Sequence, residues 1–321
     1  MLLDIIYVVV GLIVLVWSAD KLIDGAAATA THFGMSPLLV GMLIIGFGTS
    51  APEMVVSAFA AFDGNPGIAL GNAYGSNIAN IGLVLAITAL LYPLTVSSRI
   101  VRREIPLLML ATLLSFALFY DTLITRIEAA IMLAAMLVLL IYSTFYSGDD
   151  DALVDEFAQR NEDEFKTPLS KSLLWLVLGL VLLLLSSHYL IQGAVGIAEY
   201  FGVSDLIIGL TVIAIGTSLP ELASSIAAAK KGESDIVLGN IIGSCLFNAL
   251  AVVGIAAAIR PVDIEPIFLS RDFTVATLLT VLLWIFAFGL RKPTEINKKA
   301  GAIFLLCYVG YTAYLLMTLK G

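Results

Sequence analysis

Long apolar runs recur along the whole chain, and short polar stretches separate them. The runs occupy residues 2–19, 36–62, 66–91, 105–120, 127–146, 173–193, 204–230, 235–259, 273–290 and 300–319. Most are close to the ~20 residues that an α-helix needs to cross a bilayer, although the run at 105–120 is short. The pattern predicts an all-α membrane protein with about ten transmembrane helices.

Composition agrees with a membrane-embedded chain. Of the 321 residues, 60% are hydrophobic and 13% are charged, whereas soluble domains are about half apolar and about a quarter charged. The two cysteines, Cys245 and Cys307, lie in apolar runs, which favours small buried side chains over a disulfide framework. We expect a surrounding lipid bilayer, no nucleic-acid partner and no cofactor; the oligomeric state stays open, with a monomer as one option.

Lysine and arginine residues are distributed unevenly between the loops. If the N-terminus lies outside, 13 of them fall on the inside and 4 on the outside. The positive-inside rule therefore predicts a multi-pass protein of the cytoplasmic (inner) membrane, with both the N-terminus and the C-terminus outside.

An acidic stretch at 149–171 interrupts the apolar runs and divides the chain into 1–148 and 172–321. It has many acids and few aliphatic residues, which is typical of a solvated cytoplasmic linker. A cation-sensing segment is the alternative, but its three consecutive aspartates do not have the spacing of an EF-hand loop.

Two polar motifs occur twice in the chain. The first, "IGFGTSAPE" at 45–53, returns as "IAIGTSLPE" at 213–221, and the second, "LGNAYGSNIAN" at 70–80, returns as "LGNIIGSCLFN" at 238–248. Both pairs have the same offset of 168 residues, without a gap. Because each half has about five helices, an odd number, the second half should have the opposite membrane orientation, and such inverted repeats are typical of secondary transporters. The substrate site is then expected at the midplane, between the halves.

The first motif places a carboxylate deep in an apolar helix. Burying the carboxylate of Glu53 or Glu221 at bilayer depth costs on the order of several kcal/mol, and ionisable residues at that depth usually mark an ion path. A protonated structural glutamate is the alternative. The prolines that precede them, Pro52 and Pro220, each remove a helix hydrogen bond and are expected to free carbonyl oxygens. A proline kink without functional consequence is the other reading of these two residues.

Hydroxyl and amide groups accompany the carboxylates. Thr49 and Ser50 lie four and three positions before Glu53, so a helix puts them on one face with it. The second motif forms a polar stripe of Asn72, Ser76 and Asn80, and of Asn240, Ser244 and Asn248. Glycines beside these stripes are expected to allow close helix packing: Gly67, Gly71, Gly75, Gly239 and Gly243. Structural hydrogen bonding between helices is an alternative role for the Asn and Ser side chains.

The combined set of candidate ligands contains only oxygen atoms, which suits hard cations. Ca²⁺ takes about six to eight oxygens, and Na⁺ could use smaller subsets of the same cage. Zinc or copper would require His or Cys. Competition of two ions for one cage is a sufficient basis for exchange. A cation channel is disfavoured by the repeat, and Ser50 and Ser218 have no base within their motifs, so an enzyme is not expected.

Two pairs of motifs carry a family resemblance: "GTSAPE" with "GTSLPE", and "GNAYGSNIAN" with "GNIIGSCLFN". On these motifs the chain resembles the calcium/cation antiporter superfamily, specifically prokaryotic sodium/calcium exchangers. The resemblance covers nearly the whole chain, and in that family the doubled motifs are the two alpha repeats. It implies that the helices near 2–30 and 173–200 slide across the core to alternate access.

The resemblance also implies roles for individual residues. Glu53 and Glu221 would be the central ligands of Ca²⁺ and Na⁺. Backbone carbonyls would come from Thr49 and Thr217, and, at outer Na⁺ sites, from Ala214 and Gly46. The remaining side-chain oxygens would come from Ser50, Ser218, Ser76, Ser244, Asn80 and Asn248.

The chain departs from the family at one pair of positions. Many relatives carry Asp where Asn80 or Asn248 stands, and an amide supplies no charge. The departure leaves the driving ion open: Na⁺ is the leading hypothesis, and an H⁺-coupled or K⁺-dependent antiporter of the same fold is the alternative.

Overall fold

The structure is a computed structural model that describes residues 1–145, 168–201, 214–288 and 294–318. Most of the acidic segment 149–171 and the part 204–213 of the seventh apolar run lie outside the described residues. The predictions made for those two stretches therefore stay predictions.

Helices make up nearly all of the described chain, as the apolar pattern predicts. We number the α-helices in chain order: α1 Leu2–Phe33, α2 Pro37–Val40, α3 Phe47–Phe62, α4 Gly67–Ala79, α5 Ala86–Leu91, α6 Ile105–Leu118, α7 Arg126–Phe145, α8 Leu169–Tyr200, α9 Ala214–Thr217, α10 Leu219–Lys230, α11 Ser234–Leu246, α12 Val253–Ile259, α13 Thr274–Phe288 and α14 Lys298–Thr318. Short π-helical segments lie within or beside several of them: Gly41–Gly46, Asn80–Leu85, Ile100–Glu104, Phe247–Val252 and Phe268–Phe273.

Within the described ranges, eight helices are long and apolar enough to cross a membrane. The prediction of an all-α membrane protein is confirmed. Of the other two predicted spans, α6 has 14 residues, and the seventh run is described only from Ala214 onward. The exact count of ten stays a prediction.

The first and sixth predicted spans were too short. Both α1 and α8 have 32 residues, whereas the apolar runs ended at 19 and 193. The sequence pattern fails at the end of α1 because Asp20, Lys21 and Asp24 interrupt the apolar run. Their charges are satisfied by ion pairs, so the helix continues as far as Phe33.

The helices divide into a buried core and a lipid-facing periphery. In the most apolar stretch of Ser234–Ile259, 89% of the residues are buried, against 22% in Leu2–Phe33 and 17% in Lys298–Met317. Side chains such as Ile13 and Leu306 are exposed on the outer helices, as lipid contact allows. The helices that carry the second motif, α4 and α11, therefore lie in the middle of the protein.

Within the described ranges, four short strands connect the ends of the helices. They are β1 Leu94–Val96, β2 Leu123–Ile124, β3 Val262–Asp263 and β4 Thr294–Ile296. Strand β1 pairs antiparallel with β4, and β2 pairs antiparallel with β3. Each two-stranded ribbon joins one half of the chain to the other. The apolar pattern missed these strands because two or three residues are too few to show an alternation.

Several elements recur at the repeat offset. The π-helical segment Ile100–Glu104 has its counterpart at Phe268–Phe273, and Asn80–Leu85 has one at Phe247–Val252. Strand β1 corresponds in the same way to β3. The order of elements is thus duplicated along the chain, while the inverted orientation of the halves and the boundaries 1–148 and 172–321 stay predictions.

Candidate functional site

The first copy of the first motif lies in an uninterrupted helix. A π-helical segment, Gly41–Gly46, leads directly into α3, which contains Pro52 in its interior. Helix α3 continues through this proline. The irregular stretch, with its wider hydrogen-bond ladder, ends six residues before Pro52, and π-bulges often occur at functional sites. There the Thr49 hydroxyl donates to the carbonyl oxygen of Ile45 at 3.0 Å.

The second copy is interrupted between two helices. Helix α9 ends at Thr217, Ser218 has φ −90° and ψ 5°, and α10 begins with Pro220 in its first turn. The freed carbonyl oxygen of Gly216 accepts a hydrogen bond from the Ser187 hydroxyl of α8 at 3.2 Å. The counterpart of Ser187 in α1 is Ala19, which cannot donate. The side-chain hydrogen bond to the backbone of the first motif is therefore present in the second copy and has no equivalent from Ala19 in the first.

Glycines let the core helices approach closely. A Cβ atom added to Gly239 would clash with the carbonyl oxygen of Leu38, and one added to Gly243 would lie 2.7 Å from that of Met42. The predicted role of these two glycines is confirmed. Gly41 has the same role from the opposite side, against the carbonyl oxygen of Ile236, although it lies outside the two polar motifs.

The equivalent prediction for the first half is not supported by the described contacts. No described atom lies within 4 Å of a Cβ added to Gly67, Gly71 or Gly75.

Asn72 and Asn240 have structural roles. The Asn72 amide nitrogen donates to the main-chain carbonyl oxygen of Glu53 at 3.2 Å and to the Ser57 hydroxyl at 3.0 Å. The Asn240 nitrogen lies 3.5 Å from the carbonyl oxygen of Glu221 and 3.1 Å from the Ser225 hydroxyl. The second motif thus holds the helix of the first, in the same way in both halves.

The other motif side chains are buried without satisfying all their polar atoms. In the described part of the chain, oxygens of Ser50, Glu53, Asn80, Ser218, Glu221 and Asn248 have no hydrogen-bond partner. Each of these side chains is at most 2% exposed. An unpaired buried polar atom costs about 1–3 kcal/mol, and a fold that concentrates such atoms in two equivalent motifs has the features of a binding site.

The remaining predicted ligands lie on the same elements. Ser76 and Ser244 are buried, and the Ser244 hydroxyl donates to the carbonyl oxygen of Gly46 at 3.3 Å. That carbonyl is therefore already used once, although its second lone pair can accept another contact. Thr217 ends α9, which begins at Ala214.

The two carboxylates lie within electrostatic range of each other, across the boundary between the halves. The Thr49 hydroxyl of the first half lies 3.4 Å from the amide oxygen of Asn240 in the second half. No group of three or more His, Cys, Asp or Glu side chains forms among the described residues, so the charge of the site comes from two glutamates. Two negative charges surrounded by neutral oxygens suit one divalent cation or several monovalent ones.

Two features of the site were not predicted. Asn77 donates to the carbonyl oxygen of Cys245 at 3.2 Å. The Ser187 hydroxyl donates a hydrogen bond to the carbonyl oxygen of Gly216, as described above. Asn77 could have been found by asking which further buried positions lie between the motif residues. The prediction that both cysteines are buried was right for Cys245 and wrong for Cys307, which is exposed on a lipid-facing helix.

Comparisons with known proteins agree with this geometry. The family described as sodium/calcium exchanger protein matches residues 3–145 and 171–317. CaxA of Alkalimonas amylolytica is 47% identical, covering 99% of this chain and 100% of its own length. The inner membrane protein YrbG of Escherichia coli is 35% identical, covering 98% and 97%. A solved structure of the sodium-calcium exchanger NCX_Mj superposes with a TM-score of 0.84 at 30% identity, covering 98% of this chain and 99% of that one.

Proposed function

The chain belongs to the sodium/calcium exchanger family, and from that premise we propose that it exchanges Ca²⁺ for Na⁺ by alternating access. The family assignment makes it a multi-pass membrane antiporter of Ca²⁺ and other cations rather than an enzyme. The coupling to Na⁺, the position of the site and the orientation of the termini go beyond that assignment. We place the site at the bilayer midplane of a cytoplasmic membrane, with both termini outside.

One observation carries the proposed site. Among the described residues, the buried side-chain oxygens without partners lie in the duplicated motifs, with the exception of one oxygen of Glu104, and they include one oxygen of Glu53 and both of Glu221. A cation bound between the motifs would satisfy these oxygens and neutralise the carboxylates, which supports the assignment of Glu53 and Glu221 as the central ligands.

The surrounding ligands follow from the same elements. We assign Ca²⁺ to the centre and Na⁺ to the centre and its flanks, with the neutral ligands Thr49, Thr217, Ser50, Ser218, Ser76, Ser244, Asn80, Asn248, Ala214 and Gly46. Both ions require the two carboxylates. They therefore exclude each other, and that exclusion couples their movements.

The experiment measures ⁴⁵Ca²⁺ uptake into proteoliposomes driven by an opposed Na⁺ gradient. We expect uptake in the unsubstituted protein and loss of uptake in both Glu53→Gln and Glu221→Gln. Glu104→Gln is the matched control because Glu104 is also fully buried but lies outside the motifs, beside Arg99.

Two results would contradict the proposal in different ways. Undiminished Na⁺-dependent uptake in both motif variants would remove the site assignment. Uptake that is driven by a pH gradient or requires K⁺, and does not depend on Na⁺, would show that Na⁺ is not the driving ion. It would not contradict the fold or the site.

A further inference from the structure

Asn77 joins the two halves at equivalent points. Its side chain is 6% exposed, and its amide nitrogen donates to the main-chain carbonyl oxygen of Cys245 at 3.2 Å. Positions 77 and 245 are separated by 168 residues, which is the repeat offset. Each is therefore the counterpart of the other, and the hydrogen bond crosses the boundary between the repeats.

The hydrogen bond fixes which way the amide faces. A carbonyl oxygen only accepts, so the nitrogen of Asn77 must face Cys245 and the amide oxygen must face elsewhere. That oxygen has no hydrogen-bond partner among the described residues. The opposite amide orientation would place two oxygens in contact and would leave the nitrogen unpaired.

The unpaired oxygen belongs to the neighbourhood of the cation site. Asn77 lies in the last turn of α4, three positions before Asn80, which begins the following π-helical segment. Cys245 follows Ser244, and it interacts electrostatically with Glu221. Asn77 and its partner Cys245 therefore lie on the two helices, α4 and α11, that carry the second motif of each half.

We infer that Asn77 is an additional oxygen ligand of the cation site, contributed by the first repeat alone and oriented by its bond to Cys245. The second repeat has a thiol at this position, which is a poor ligand for a hard cation. The inference deepens the proposed function and rests on it, since it assumes that the motifs bind Ca²⁺.

The chain itself supplies the matched substitution. N77C gives the first repeat the residue that the second repeat already carries, so it removes the oxygen without enlarging the side chain. Asn77→Asp keeps an oxygen, removes the donor and adds charge. We would measure Ca²⁺ binding by calorimetry in detergent with reducing agent, at alkaline pH and without Na⁺.

If Asn77 is a ligand, N77C weakens Ca²⁺ binding roughly tenfold, whereas Asn77→Asp binds Ca²⁺ at least as tightly as the unsubstituted protein. The double variant N77C/C245N, which moves the amide to the other repeat, recovers most of the loss. Equal weakening in N77C and Asn77→Asp would show that Asn77 only clamps the helices and would overturn the inference. Unchanged binding in N77C would overturn it as well.

Calorimetry of Glu53→Gln and Glu221→Gln distinguishes a failure of the proposed cation site from a failure of the role inferred for Asn77. If both bind Ca²⁺ normally, the proposed site itself fails. If both lose binding while N77C retains it, only the role of Asn77 fails. Should N77C not fold, N77S takes its place in the comparison with Asn77→Asp, because its hydroxyl is too short to span the same distance.

Discussion

The side-chain amide of Asn72 donates to the main-chain carbonyl oxygen of Glu53 at 3.2 Å. Asn240 stands in the same relation to Glu221, at 3.5 Å. The residue that carries each charge is therefore held by the second motif of its own half. Ion affinity then depends on residues that hold the ligands as well as on the ligands themselves.

Asn72→Leu should lower both stability and ion affinity. The substitution keeps the approximate volume but leaves the Glu53 carbonyl and the Ser57 hydroxyl without their donor. Unpaired buried groups of this kind cost about 1–3 kcal/mol. Thermal unfolding in detergent should show a lower midpoint, and the Ca²⁺ concentration for half-maximal uptake should rise.

Ser57→Ala is the control for this prediction. It removes one of the two acceptors of Asn72 and leaves the bond to the Glu53 carbonyl in place. We expect a smaller loss of stability and nearly normal Ca²⁺ dependence. Equal effects of the two substitutions on uptake would show that the bond to Glu53 does not position the ligand.

Gly243→Ala should disrupt the packing of the core. The added Cβ would lie 2.7 Å from the carbonyl oxygen and 2.8 Å from the Cα atom of Met42. Both are backbone atoms that cannot rotate away, so we expect a loss of about 1–3 kcal/mol, with reduced transport. Unfolding should be followed by fluorescence or calorimetry in detergent.

Gly310→Ala provides the comparison within a lipid-facing helix. No described atom lies within 4 Å of its added Cβ. Alanine has the higher helix propensity, by up to about 1 kcal/mol, so stability should stay equal or rise. A similar loss in both variants would mean that glycine-mediated contact with Met42 is not what stabilises the core.

The sequence singled out the proposed ligands but did not predict the local geometry of their helices. Identical residues at the 168-residue offset identified Glu53 and Glu221 without any structure. The uninterrupted helix at Pro52 could not be predicted in the same way, because the π-helical segment that precedes it has no sequence signature. Asn77 could not be identified from the repeat because the two copies differ at that position, Asn77 in the first and Cys245 in the second.

Lys231→Gln should have only a small effect on stability. The Lys231 ammonium bridges Asp20 and Asp24 of α1, and so connects α1 to the end of the helix that carries Glu221. Both aspartates are more than 40% exposed, and pairs of this kind contribute about 0–1 kcal/mol.

Charge reversal tests the same ion pairs more strongly. Lys231→Asp should destabilise the protein more than Lys231→Gln, and D24K in the same chain should recover part of the loss. Choline chloride, which adds ionic strength without Na⁺, should reduce these differences. Lys230→Gln is the control, since Lys230 is exposed and has no ion pair in the described part of the chain; an equal effect there would argue against the bridge.

Asn248→Asp should change which half of the transport cycle moves charge. Asn248 is fully buried, and neither polar atom of its amide has a described partner. The family resemblance implies an exchange of three Na⁺ for one Ca²⁺. For that stoichiometry and two ionised glutamates, a site holding Ca²⁺ is neutral, and one holding three Na⁺ carries one positive charge. A third carboxylate reverses this: the Ca²⁺-loaded site becomes negative and the Na⁺-loaded site becomes neutral.

The charge moved per complete cycle stays the same, because it depends only on the ions exchanged. What changes is the step that responds to voltage, by about 2.3 kcal/mol per charge per 100 mV.

Current measurements on proteoliposomes adsorbed to a solid-supported membrane can separate the two steps. The unsubstituted protein and the neutral control Asn248→Ser should give charge displacement in the Na⁺-dependent step, and Asn248→Asp should give it in the Ca²⁺-dependent step. Lower pH, which protonates the new carboxylate, should return the variant to the original behaviour. Charge displacement that stays in the Na⁺ step of Asn248→Asp at alkaline pH would show that position 248 lies outside the ion-binding site.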